Sequence, residues 1–293
     1  MVAMTTPETS STVTRFEQID DGIFQLTLDR PDALNALDLA LIADLERRFA
    51  AFGRMRGLRT VILTGAGRAF CAGLDLAAID PSAAIESEVR PEDSHLDPAA
   101  AEPPGRAQLG MALQKRIAGL MLALREQPVP VIAAVNGAAV GGGLALALAS
   151  DIRIGSQSAR FGDAFVRIGI SGCDVGVSWM LPRIVGAGRA HELMLTGRII
   201  DAAEAQSIGL LTDVVAADQL VERAVEVARM IRRNSPFGVW MTKEVSYANQ
   251  AISSMRAAID LENRTQILAS FTEDTGEAVG AFFEKREPRF SNR

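Results

Sequence analysis

Two glycine-containing turns carry the residue types best suited to chemistry. The first is Gly67-Arg68-Ala69-Phe70-Cys71-Ala72-Gly73-Leu74-Asp75-Leu76, which follows an apolar stretch. The second, Asn136-Gly137-Ala138-Ala139-Val140-Gly141-Gly142-Gly143-Leu144, sits between an apolar strand and an apolar helix. Small residues let a ligand approach the backbone closely, and the first turn of a helix presents N–H groups without partners. The helix dipole adds partial positive charge at the same place. Two such N–H groups converging on one oxygen form an oxyanion hole, which contributes roughly 3 kcal/mol per donor to a charge that develops there.

Other uses of these glycines fail on spacing. Gly65-Ala66-Gly67 opens like a dinucleotide-binding G-x-G-x-x-G, but Phe70 stands at the third glycine. No acidic residue ends a following strand about 20 residues on, as nicotinamide binding would require. The P-loop pattern G-x-x-x-x-G-K-[ST] is absent, and so is the G-x-S-x-G elbow of Ser-His-Asp esterases.

The elements around the turns alternate. Gly22 to Asp29 reads as a half-buried strand, and Asp38 as the N-cap of a helix running to Gly53 with Leu39, Ile42, Leu45 and Phe49 on one face. Leu58 to Thr64 is a buried strand and a helix is expected from about Arg106 to Glu126. Val129 to Val135 is a further apolar strand and Asp151 to Gly155 a short one. Leu144 to Ser150 is apolar on every face, so a helix there must be buried. This order predicts an α/β core with a covered sheet. From about Asp201 the chain turns helical, with segments near 201–209, 217–233, 236–251, 255–271 and 275–285 and a strand-like Asp213 to Val215. Asp80 to Gly105 is proline-rich and carries Asp80, Glu86, Glu88, Glu92, Asp93, Asp97 and Glu102, so a long acidic surface loop is expected.

The 293 residues are 48% hydrophobic and 23% charged, enough for one large domain or one with an appendage. A net charge of -6 without a basic face argues against nucleic acid as a partner. No apolar run reaches the roughly 18 residues that span a bilayer, and residues 1–12 read as a disordered lead rather than a signal peptide, so a cytoplasmic protein with no membrane partner is expected. Cys71 and Cys173 lie in small or apolar surroundings and are expected as buried thiols with no metal role. The two histidines are His95, in the acidic loop, and His191, on the surface of a helix.

Taken together, Arg30-Pro31-Asp32-Ala33-Leu34-Asn35-Ala36-Leu37, Ala69 to Leu76, Pro130 to Gly137 with Gly141-Gly142-Gly143, and the tail Ala281 to Phe290 resemble the crotonase (enoyl-CoA hydratase/isomerase) superfamily over residues 13–293. The resemblance implies an α/β fold, a crotonase-like spiral of ββα units over 13–200, with a helical C-terminal trimerisation region over 201–293. It also implies an acyl-CoA substrate, no cofactor beyond the coenzyme A that the substrate carries, and a homotrimer or dimer of trimers. By the same resemblance, the amides of Leu74 and Gly142 hold the thioester oxygen, and Ala33, Ala72, Asp75 and Gly141 lie along the CoA and substrate site. Phe282 and Lys285 correspond to tail residues that reach the adenine and phosphates, commonly of a neighbouring subunit.

The pattern departs from that family at the acid/base positions. Ala145 and Phe165 stand where its hydratases carry glutamates, and neither can transfer a proton. Asp174, in Gly172-Cys173-Asp174-Val175-Gly176, resembles the aspartate in the A-D-V-G turn of dienoyl-CoA isomerases after a one-residue adjustment, and is the expected acid/base; its other role is a helix N-cap. Asp163 is a lesser candidate, with Arg167 expected to pair with it. One carboxylate beside an oxyanion hole suffices for a proton shuttle, which favours isomerisation over hydration. The alternative is an acyl-CoA-binding protein that has kept the hole and lost catalysis.

Overall fold

The computed structural model describes residues 13–76 and 105–293. The expected lead over 1–12 and nearly all of the acidic loop lie outside the described residues, and with them His95.

A mixed sheet of six strands forms the centre: β1 (Thr14–Asp20), β2 (Ile23–Leu28), β3 (Thr60–Gly65), β5 (Val131–Val135), β7 (Ile152–Ser156) and β10 (Asp213–Val215), adjacent in that order. β1 and β2 are an antiparallel hairpin and every later pairing is parallel. A second sheet contains β4 (Ala69–Cys71), β6 (Ala138–Val140), β8 (Arg160–Gly162) and β9 (Ile200–Asp201). The chain winds between them: β3 to β4, β5 to β6, β7 to β8, each passage adding one parallel strand to both sheets. That winding, with helices interposed, is a spiral of ββα turns. Strand β5 is buried along its whole length, which is why it reads as an unbroken apolar run.

Helix α1 (Leu39–Phe52) starts where Asp38 accepts the Leu41 N–H at 2.7 Å, and its buried face is Leu41, Ile42, Leu45, Phe49 and Phe52. After α2 (Arg106–Arg125), the short α3 (Gly142–Ala149) has all eight residues buried. Each of its leucines contributes about 2 kcal/mol by leaving water. Its C-terminal end is held by Arg153, itself buried, which donates to the carbonyls of Ser150 (2.6 Å), Ala147 (3.3 Å) and Leu210 (3.0 Å). A cation at this end complements the dipole whose positive end points at Gly142.

Beyond α4 (Val177–Val185), α5 (Ala187–Thr196) and α6 (Ala202–Ser207), the chain is helical apart from β10. α7 (Leu220–Arg232) covers the other face of the large sheet, burying Leu220, Ala224, Val225 and Ala228 against Ile23, Ile62, Ile132 and Ile154. α8 (Pro236–Asn249) docks through Lys243 and Tyr247, which reach Asp151 at 2.9 and 2.5 Å. α9 (Met255–Ser270) buries no residue, and α10 (Glu273–Glu284) only Asp274 and Ala281.

Candidate active site

The two glycine turns meet. Leu37 and Leu74 form a parallel bridge through Leu37 N–H to Gly73 O (2.7 Å) and Asp75 N–H to Leu37 O (2.9 Å), which leaves the Leu74 N–H outside the ladder. Gly142 is the first residue of α3, where an N–H has no intrahelical acceptor. A Cβ on Gly142 would stand 3.9 Å from the Gly73 carbonyl carbon, the atom bonded to Leu74 N, so the two backbones run close together. Glycine is required for that approach. Gly73 has φ +102°, and a Cβ there would lie 2.9 Å from the Val140 oxygen. A Cβ on Gly143 would collide with the Cys71 carbonyl oxygen.

Side chains that the sequence reading gave no role fix the first turn. Asn35, buried at φ 56°, donates from Nδ2 to Ala66 O (2.9 Å) and Ala69 O (2.8 Å) and accepts the Arg30 N–H (2.9 Å). Asn136 donates to Gly67 O (3.0 Å) and Ala69 O (3.1 Å) and accepts the Gly65 N–H (3.1 Å). Both stand inside the quoted motifs, but only their positions in the fold show what they hold. Arg30 bridges Asp38 and Asp75, each at 3.0 Å, and also donates to Ala36 O. Asp75 is therefore an anchored carboxylate of the turn.

Ala72 N–H donates to Leu34 O at 3.0 Å, which joins the turn after Ala33 to the strip that runs into Leu74. Gly141, at φ +54°, faces the ring of Phe165, whose nearest carbon would be 3.4 Å from a Cβ there. Ala145 is fully buried one turn into α3. Asp174 is half-buried; one of its oxygens accepts from Gln114 Nε2 on α2 and from the Val175 N–H at 2.7 Å. Phe282 is 78% exposed near the end of α10 and Lys285 is exposed beyond it; neither makes an ion pair or side-chain hydrogen bond to the Ala33–Ala72 strip among the described residues.

Two expectations need correction. Arg167 does not pair with Asp163: it is exposed and runs along Gly197, while both Asp163 oxygens are buried without a hydrogen-bond partner. Asp163 is fully buried, and its pKa rises to about 7, first from burial and then from the charge of Asp174. Cys173 is exposed, because its turn crosses the surface; Cys71 is buried as expected, and burial pushes its thiol up to about 12. His191 is exposed on α5 as the sequence indicates.

A spiral of two-strand turns that packs the Gly73-Leu74 backbone against the glycine start of a buried helix is the architecture of the crotonase class. The comparisons with known proteins agree. Residues 18–97 and 105–293 match the model of the enoyl-CoA hydratase/isomerase family, and the chain belongs to that family. It is 34% identical over 275 residues to the 1,2-epoxyphenylacetyl-CoA isomerase of Escherichia coli, covering 94% of this chain and 97% of that one. It is equally 34% identical over 271 residues to a protein of Mycobacterium tuberculosis named a probable enoyl-CoA hydratase, covering 92% and 90%. Among solved structures, the enoyl-CoA hydratase of Bacillus anthracis superposes with a TM-score of 0.83 at 32% identity, covering 96% of this chain and 100% of that one.

Proposed function

We propose that the protein acts on an unsaturated acyl-CoA thioester, moving its double bond by way of an enolate. The amides of Leu74 and Gly142 accept the charge on the thioester oxygen, and Asp174 is the acid/base. The single observation that supports this most is the pair of free amides converging at the start of a fully buried helix. In the reaction, Asp174 takes the α-proton of a β,γ-enoyl thioester and the electron pair delocalises onto the oxygen in the hole. The same carboxyl then returns the proton to the γ-carbon, so the α,β-unsaturated product forms with nothing consumed.

Isomerisation is favoured over hydration because Ala145 and Phe165 supply no second proton-transfer group at the hydratase positions. The E. coli relative is named an isomerase, although hydratase names also occur among the relatives. Ala33, Ala72, Asp75 and Gly141 line the CoA and substrate path; the thioester supplies its own activation, so no further cofactor enters. Phe282 and Lys285 serve a neighbouring copy's CoA in a homotrimer or a dimer of trimers, consistent with the exposed Ile267, Leu268, Phe271, Phe282 and Phe283 of the last two helices and their ends.

The test is turnover of 2-enoyl-, 3-enoyl- and 3,5-dienoyl-CoA thioesters, followed by mass and ultraviolet absorbance, with Asp174→Asn alongside. The expected result is conversion of a 3-enoyl thioester that falls about 10²–10⁴-fold in the variant. CoA-thioester binding without turnover, unchanged by the variant, would instead establish a binding protein.

A further inference from the structure

Both tryptophans of the chain and its one tyrosine, Trp179, Trp240 and Tyr247, line a single cleft. It encloses about 660 Å³, the size of a small-molecule site, and opens between α2, α4 and α8. Its other large apolar walls are Met121 and Leu122 from α2 and Met180 from α4. Trp179 and Trp240 keep 38% and 40% of their surface exposed, so rings that a core would bury are turned towards an open space.

The rings are held in place by their neighbours. Arg183 lies 3.9 Å over the Trp179 ring, and Arg125 lies 5.0 Å over Trp179 and 3.6 Å over Tyr247. Trp240 meets Phe237 edge to face, with centroids 5.9 Å apart. The cations of the lining are engaged: Arg125 also donates to Gln250 at 3.1 Å, and Lys243 pairs with Asp151 at 2.9 Å. Glu126 and Glu244 complete the charged lining and would repel an anion. The cleft therefore offers ring surface and no site for a phosphate.

This space begins beside the proposed proton shuttle. Val175 and Gly176, with φ 39° and +83°, follow Asp174 directly and line the cleft. The Val175 N–H donates to the Asp174 carboxyl at 2.7 Å. On α2, Gln114 donates to the same carboxyl oxygen, and the cleft residues Ala118 and Met121 lie one and two turns further along that helix face. The carboxyl and the cleft thus share one wall, α2, and one turn, the start of α4.

We propose that the cleft receives the acyl group beyond its γ-carbon and selects thioesters that carry an aromatic ring there, with Trp179 and Trp240 as the specificity-determining residues. This rests on the reading of Asp174 as the acid/base. A flat ring packs against another in offset or edge-to-face geometry, which adds about two- to tenfold in affinity per ring pair beyond the area buried. A linear chain of equal carbon number buries apolar surface as well but gains nothing from that geometry.

The test compares 5-phenyl-3-pentenoyl-CoA with the linear 3-undecenoyl-CoA, equal in acyl carbons, on the full chain, with free CoA as the control. Binding is read from tryptophan emission, since both tryptophans of the chain line the cleft. The phenyl thioester is expected to move the emission to shorter wavelength as water leaves the two rings, and free CoA to leave it in place. The phenyl thioester should also bind about tenfold more tightly than the linear one. Trp240→Ala, which removes a partly exposed ring, should cut that preference to less than about threefold in a folded protein. Equal affinity for the two thioesters, or a preference for the linear one, would overturn the proposal. So would a Trp240→Ala protein that sediments as a smaller species yet keeps the preference, because a neighbouring copy would then cover the cleft. Tight, ring-selective binding without turnover would sink the acid/base reading alone, because the emission reports binding without any reaction.

Discussion

The two walls of the proposed site are built by different means. One is backbone: Leu74 and Gly142 offer N–H groups, fixed by Gly73, Gly143, Asn35, Asn136 and the buried α3 behind them. The other is side chain: Asp174 follows Gly172 on a turn that crosses from buried to exposed, and the buried Asp163 carboxyl comes up against Gly172 from the end of β8. The glycine turns of the backbone wall carry the motifs that resemble the family's, whereas Ala145 and Phe165 stand where the resemblance places the glutamates of its hydratases. An oxyanion hole depends on where the main chain runs, and that is shared by every reaction passing through an enolate. The proton-transfer groups depend on which carbon gains or loses hydrogen, so they are where one fold diverges into several activities.

If that contrast is right, the largest loss should come from the backbone wall. In Gly143→Ala the new methyl must displace the Cys71 carbonyl, pushing the start of α3 away from Gly73. Turnover is expected to fall about 10²–10³-fold as the second donor leaves its position. Overpacking should also cost about 1–3 kcal/mol of stability, read as a lowered denaturation midpoint. Full activity in a folded Gly143→Ala protein would mean that the hole lies elsewhere.

The same contrast explains what could be read in advance. Helices with long apolar periodicity came through to within about three residues: α1 with its Asp38 cap, α2 and the helices beyond Asp201. Glycines required by close approach were visible because no other residue serves there. The strands β4, β6 and β8 were not, since each has three residues and exists only by pairing with the others. Helix α5 was legible only around His191, because its apolar face is confined to Ala190, Leu193 and Met194. Arg167 was misassigned because sequence proximity suggested an ion pair with Asp163, while the inward course of the chain put the Asp163 side chain against Gly172 and Arg167 in solvent. Gln114 could not have been found, because it lies 60 residues from the carboxylate it holds.

A middle-sized effect tests how far the backbone wall relies on its own ion pairs. Arg30→Met would leave Asp38 and Asp75 facing each other, with their side chains only 19% and 16% exposed. Removing one member of a partly buried cluster should destabilise by about 2 kcal/mol, below the full cost of a wholly buried pair. Because Asp75 adjoins Leu74 on the proposed CoA path, KM for the thioester is expected to rise more than kcat falls. A drop in kcat alone would indicate that the turn moves the Leu74 amide itself.

The smallest expected effect belongs to the side-chain wall. Gln114 Nε2 and the Val175 N–H donate to the same Asp174 oxygen, so α2 and the start of α4 jointly orient the carboxyl. Gln114→Leu deletes the α2 contribution and leaves the Val175 bond in place. Since Gln114 is exposed, the lost hydrogen bond should be worth about 1 kcal/mol, or roughly fivefold in kcat, with the denaturation midpoint almost unchanged. The variant should also narrow the difference between wild type and Asp174→Asn, because a carboxylate free to rotate shuttles protons less often. An unchanged kcat would show that the turn from Gly172 to Gly176 orients Asp174 unaided, making the carboxyl wall as self-contained as the glycine wall opposite.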